Sequence, residues 1–156
     1  MSKGKTGEFP MKTKKVNRYW CDYCNKAGLS KSAMERHEKH CTLNPSRSCR
    51  VCSLLGGSHG LPVSDLVALL PDSAPYHASI STINTDDWKI HKELSDAVKA
   101  AMPALREAVS GCPACIMAAL RQANIPVPMA DSFDFKAEMK SIFDDLNEER
   151  FQCEAY

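Results

Sequence analysis

Four residues near the N-terminus, Cys21, Cys24, His37 and Cys41, constrain this chain more than any others, through the spacing C-x2-C-x12-H-x3-C. A CxxC turn sets two thiolates on one side of a small metal ion. Two ligands at i and i+4 share one helix face and close the other side. Three sulfurs and an imidazole are a donor set that tetrahedral zinc accepts. The segment SKSAMERHEKHC supplies the helix, with Ser30 as its expected N-cap. His40 competes for the metal at x2 spacing, but its i+3 geometry and the thiolate of Cys41 rank it second.

On these residues the sequence resembles a C2H2-type zinc finger, a ββα unit, with its last histidine replaced by cysteine; the resemblance spans residues 19–41. Met34 falls on the family's core leucine. The core aromatic position falls on Gly28, so Leu29 is expected to substitute for it. The resemblance implies base contacts from the helix start, its third residue and its sixth, which here are Ser30, Ala33 and Arg36. Of these only Arg36 reads base edges strongly. One finger also covers only about three base pairs. Specific reading of a duplex is therefore not expected from this finger alone.

Charge points instead to the phosphate backbone. Residues 1–50 hold 12 Lys and Arg against 4 Asp and Glu, a net of +8, while residues 51–156 hold 8 against 15, a net of −7. A segment this basic suits a polyanion, and the acidic remainder would be repelled by one. The expected phosphate contacts are Lys12, Lys14, Lys15, Arg18, Lys26, Lys31, Arg36 and Lys39. Residues 1–18 lack periodicity and read as a basic arm. TGEFP at 6–10 looks like a linker between tandem fingers, but no finger precedes it.

A second cysteine set, Cys49-x2-Cys52 and Cys112-x2-Cys115, makes two knuckles that together can form a four-cysteine zinc site. The rival reading takes CPAC as a redox motif at a helix start. Such motifs follow a strand in a βαβ unit, whereas DAVKAAMPALREAVS before Cys112 reads as helix. Zinc is favoured, and two Zn2+ ions are expected. Cys153 is left over as an unpaired thiol. His59, His77 and His91 have no ligand spacing and read as surface or core histidines.

From residue 61 onward the pattern is helical. Ser64 is expected to cap a short helix ending at Leu70, and residues 71–85 read as loop. Asp86 or Asp87 opens a helix using Trp88, Ile90, Leu94, Ala97 and Val98, with a kink or break at Pro103. Gly111 suits a C-terminal cap, and CPACIMAALRQAN starts another helix. IPVP at 125–128 reads as extended. A last amphipathic helix, from about Asp134 to Phe151, uses Phe135, Met139, Ile142, Phe143 and Leu146. The expected fold is mainly α, with three parts. These are a basic arm (1–18), a small ββα zinc finger (19–41) and a helical domain stapled by a second zinc site (42–156).

Hydrophobic residues make up 44% of the chain and charged ones 25%, as in ordinary soluble proteins. No export signal or membrane-length apolar run is present, so the expected partners do not include a membrane. No P-loop, dinucleotide turn, HExxH or GxSxG occurs. No His-His or Asp-His pair of an HNH nuclease stands beside the knuckles. A catalytic role and a small-molecule substrate are therefore not expected.

HEKHCTLNPSRSCRVC together with GCPACIMAALRQ is similar to small zinc-finger proteins of tailed bacteriophages and prophages. That similarity implies a phage or bacterial source, and the expected location is the cytoplasm of a bacterial host, or the virion. Two functions fit. One is a nucleic-acid-binding accessory factor, for DNA with low specificity. The other is a protein–protein module, such as a virion component or host-enzyme inhibitor, in which zinc only staples the fold.

Overall fold

A computed structural model describes residues 13–57, 59–80 and 87–154. Lys12, Asp86 and the TGEFP segment lie outside the described residues, as does the side chain of Cys153. Strands β1 (Tyr19–Trp20) and β2 (Ala27–Gly28) pair antiparallel, Tyr19 opposite Gly28. The turn between them is closed by Cys21 N–H donating to the Lys26 carbonyl at 2.8 Å, with Asn25 at φ 57°. Helix α1 (Lys31–His40) starts as expected, with Ser30 Oγ accepting from Ala33 N–H. Met34, Cys21 and Cys41 are buried together, and Tyr19 and Leu43 pack against them.

Leu29 does not enter this core; it is 66% exposed. Met34 takes the space instead, since a Cβ on Gly28 would meet Met34 Cε at 3.1 Å. A flexible methionine opposite a glycine thus replaces an aromatic opposite a leucine.

The body is built around α6 (Pro113–Gln122), where Ile116, Ala118, Ala119 and Leu120 are fully buried. Against it pack α3 (Val63–Ala68) and α7 (Phe135–Glu154), while α4 (Ala74–Ile80) lies on α5 (Asp87–Ala108). Helix α5 runs unbroken past Pro103, so of the kink or break expected there the break does not occur. Proline removes one backbone hydrogen bond and costs about 3 kcal/mol in a helix interior. Burial of Val98, Met102 and Leu105 along one face offsets it, these residues being at most 2% exposed. Helix α5 ends where Ser110 and Gly111 turn left-handed (φ 50° and 74°) and Gly111 N–H reaches the Arg106 carbonyl at 2.8 Å. That is the cap the sequence indicates.

Four other expectations are corrected. Residues 74–80, expected as loop, are helix α4. Asp72 Oδ1 accepts from Ala74 N–H at 2.9 Å, which makes Asp-Ser-Ala-Pro a helix start and not a turn. IPVP is not extended: Val127–Met129 form a 3-10 turn that buries Ile125 and Met129. Ser64 lies inside α3, whose cap position is Pro62, and its hydroxyl donates to Asp65. On α7, Phe135, Met139 and Ile142 pack on the core, but Phe143 is 46% exposed. Helix α7 is fixed to α5 by the Arg106–Glu138 fork, with N–O distances of 2.6 and 3.0 Å. No helix among the described residues is long and apolar enough to cross a membrane.

These placements predict opposite outcomes for two leucines. In zinc-replete protein, Leu120→Ala is expected to lower stability by about 2–5 kcal/mol. Leu29→Ala is expected to change it by less than about 0.5 kcal/mol. Urea denaturation monitored by circular dichroism measures both.

Candidate metal centres

In the finger, the turn after β1 carries Cys21 and Cys24, and α1 and its C-cap carry His37 and Cys41. The fold brings their ligand atoms within 4.8 Å of one another. His37 Nε2 and Cys24 Sγ lie 3.0 Å apart. His40 is directed elsewhere. Its Nδ1–H donates to the Ser48 carbonyl at 2.8 Å, which leaves Cys41 as the fourth ligand.

The second cluster joins segments 63 residues apart. Cys49 caps the short helix α2 (Arg50–Leu54), its sulfur accepting from Cys52 N–H at 3.5 Å. Cys112 is the N-cap of α6, so one cysteine of each knuckle stands at a helix N-terminus. All four sulfurs lie within 4.8 Å, and Cys49–Cys112 and Cys52–Cys115 are each 3.6 Å apart. A tetrahedron of Zn–S bonds of about 2.3 Å has S–S edges of about 3.8 Å. The spacing therefore fits zinc, and the contacts run between the CxxC pairs. The CPAC motif also follows helix α5 and not a strand, against the redox reading.

Charge fits as well. Four thiolates and one Zn2+ leave two net negative charges. The Arg47 guanidinium faces them, with Nη1 3.9 Å from Cys115 Sγ and 3.3 Å from the Ala114 carbonyl. Arg47 Nε is buried with no hydrogen-bond partner, and no carboxylate pairs with this side chain among the described residues. A half-buried guanidinium with no carboxylate partner is favoured where another negative group faces it. The metal–thiolate centre supplies that group.

Left to themselves, four crowded thiols cannot all ionise. Hydrogen bonds from Cys112 and Cys115 hold Cys49 far below the ordinary thiol range. Burial, then the Cys112 and Cys49 sulfurs, push Cys52 up to about 12. The neighbouring Cys112 and Cys49 sulfurs and then burial push Cys115 far upward.

His59, which showed no ligand spacing in the sequence, is part of this centre. Its Nε2 lies 3.2 Å from Cys115 Sγ. Its Nδ1 accepts from Leu61 N–H at 3.2 Å, so the proton sits on Nε2 and donates to sulfur. His59 thus supports a ligand without being one. No sequence signal finds it, because a supporting donor needs no register with the knuckles. His77 and His91 lie elsewhere. His77 bonds the Asn124 carbonyl at 2.6 Å, and His91 stacks edge-on to Tyr76.

Of the expected phosphate-binding residues, Lys14, Lys15, Arg18, Lys26, Arg36 and Lys39 are exposed. Lys31 pairs with Glu35 at 3.8 Å. The finger is not loosely tethered. Ser48 N–H donates to the Lys39 carbonyl at 2.9 Å. Gln122, at the end of α6, donates to the Thr42 and Asn44 carbonyls at 2.9 and 3.1 Å.

Comparison with protein-family models, curated proteins and solved structures yields no match. The two cysteine-rich clusters are the features that stand: the protein has two sites suited to zinc.

Native mass spectrometry is expected to find two zinc ions, and Cys112→Ser to leave one. His59→Ala should retain both ions but weaken the four-cysteine site by about 10- to 100-fold against a competing chelator. Zinc must also displace protons from at least Cys52 and Cys115, which hold them at neutral pH. Affinity at that site should therefore fall by roughly a hundredfold as pH drops from 7 to 6. A pH-independent affinity would contradict this assignment.

Proposed function

We propose that this protein is a non-enzymatic nucleic-acid-binding factor in which two structural zinc ions fix a basic head on an acidic helical body. With four protein ligands at each site, zinc has no open position for water or substrate. The observation that carries the reading is the state of the cations on the basic arm and the finger. Lys14, Lys15, Arg18, Lys26, Arg36 and Lys39 are exposed, and no ion pair engages them among the described residues. Such cations are available to displace counterions from phosphates.

Two exposed aromatics add to this. Trp20 is 57% and Tyr23 44% exposed, both on the finger's hairpin and beside Arg18 and Lys26 in sequence. Aromatic faces among cations suit stacked bases and need no sequence preference. A phage or prophage source belongs to the same proposal and rests only on the sequence motifs.

Fluorescence anisotropy with labelled DNA and RNA, titrated with salt, tests the function. Six phosphate contacts correspond to a log–log salt slope of about −4 on single strands, at about −0.7 per contact. Binding at about 50 mM salt with a slope between −3 and −5 is expected. No binding there, or binding without a salt slope, overturns the proposal and favours a protein–protein module with zinc as a staple.

A further inference from the structure

The helix face that a finger of this kind would insert into a groove opens onto a cleft against the body. Ala33, Arg36, His37 and His40 lie along one side of α1, and opposite them stands Arg50, the first residue of α2. Together they line a cleft of about 510 Å³ between finger and body. Its two walls are held by the His40–Ser48 and Ser48–Lys39 hydrogen bonds at 2.8 and 2.9 Å, and Gln122 anchors the segment between them. A helix reads a duplex only by entering a major groove about 12 Å wide. Here the same face shares its cleft with a residue of the body, Arg50.

The cleft has its own chemistry. It holds two guanidiniums and two imidazoles, and no carboxylate lines it. Arg36 and Arg50 are exposed, and neither is in an ion pair among the described residues. Two planar forks facing one space suit a tetrahedral oxyanion, which each can grip bidentately. The volume admits a phosphate and its sugar but not a double helix.

We propose that this cleft seats a phosphodiester of a single-stranded nucleic acid, with Arg36 of the finger and Arg50 of the body donating to it from opposite sides. The inference rests on the nucleic-acid reading above and narrows it to single strands. It also makes Arg36 a phosphate clamp and not a base reader. Arg50 was absent from the phosphate contacts expected from sequence, because only the fold brings it opposite Arg36.

The test uses the full zinc-loaded chain, labelled 20-nucleotide single strands of DNA and RNA, and a DNA duplex of the same length, by fluorescence anisotropy at about 50 mM salt. The single strand is expected to bind at least about tenfold tighter than the duplex. Arg36→Gln and Arg50→Gln should each weaken single-strand binding about tenfold and flatten its salt slope by about 0.7. Lys136→Gln, on the exposed body surface, should change neither. Zinc content and circular dichroism confirm that each variant is folded. Equal binding of duplex and single strand, or arginine variants that bind like the parent, would overturn the cleft assignment and leave the nucleic-acid reading standing. No binding of any strand would overturn both.

Discussion

Four thiols held within 4.8 Å of one another form an arrangement that a protein core opposes unless a cation sits among them. Ionised, they repel; protonated, they are weak hydrogen-bonding groups that add little to packing. Zinc reverses the sign of this interaction and makes the cluster a joint. The joint lies at a particular place: it ties α2, directly after the finger, to the N-terminus of α6, the most buried helix of the body. The other end of α6 carries Gln122, which holds the Thr42 and Asn44 carbonyls. A ten-residue helix, about 15 Å long, therefore grips the finger–body junction at both ends. The finger's orientation depends on this second site more than on its own.

The two centres differ in what they add to folding. Among the described residues, the finger buries Cys21, Met34 and Cys41 as its core, whereas the body buries a cluster of eighteen. A core of three residues, two of them metal ligands, cannot offset the entropy of ordering some twenty residues at about 1–2 kcal/mol each for backbone alone. The finger's fold is thus the metal's doing. In the body zinc fixes the position of helices that already have an apolar interior. One metal makes a fold, and the other sets an angle.

Sequence alone made the ligands legible, because ligand spacing is a local and rigid requirement. Both four-residue sets can be read from the chain, as can the Ser30 cap and the Gly111 turn. What escaped it depends on tertiary partners. The Asp-Ser-Ala-Pro start of α4 has the composition of a loop and becomes a helix because it packs on α5 and bonds the end of α6, Ser73 Oγ donating to the Ala123 carbonyl at 2.7 Å. Pro103 fails to break α5 because the packing of Met102 and Leu105 outweighs one lost hydrogen bond. His59 was invisible because a hydrogen bond to sulfur imposes no spacing, and Arg47 because the charge it faces does not exist until the four cysteines meet.

The same reasoning applies to Arg50. In the sequence it is one cation of twelve in a basic half, next to a cysteine that sets its position. Once Cys49 is fixed to Cys112, α2 has a single orientation relative to α1, and Arg50 must face the helix side that carries Arg36. The cleft is therefore a consequence of the metal joint, and any role it has depends on that joint. Removing the second zinc would free α2 and part the two arginines while leaving each of them in place. A residue whose partner is set by a distant metal site acts through position, and position is what the four cysteines hold.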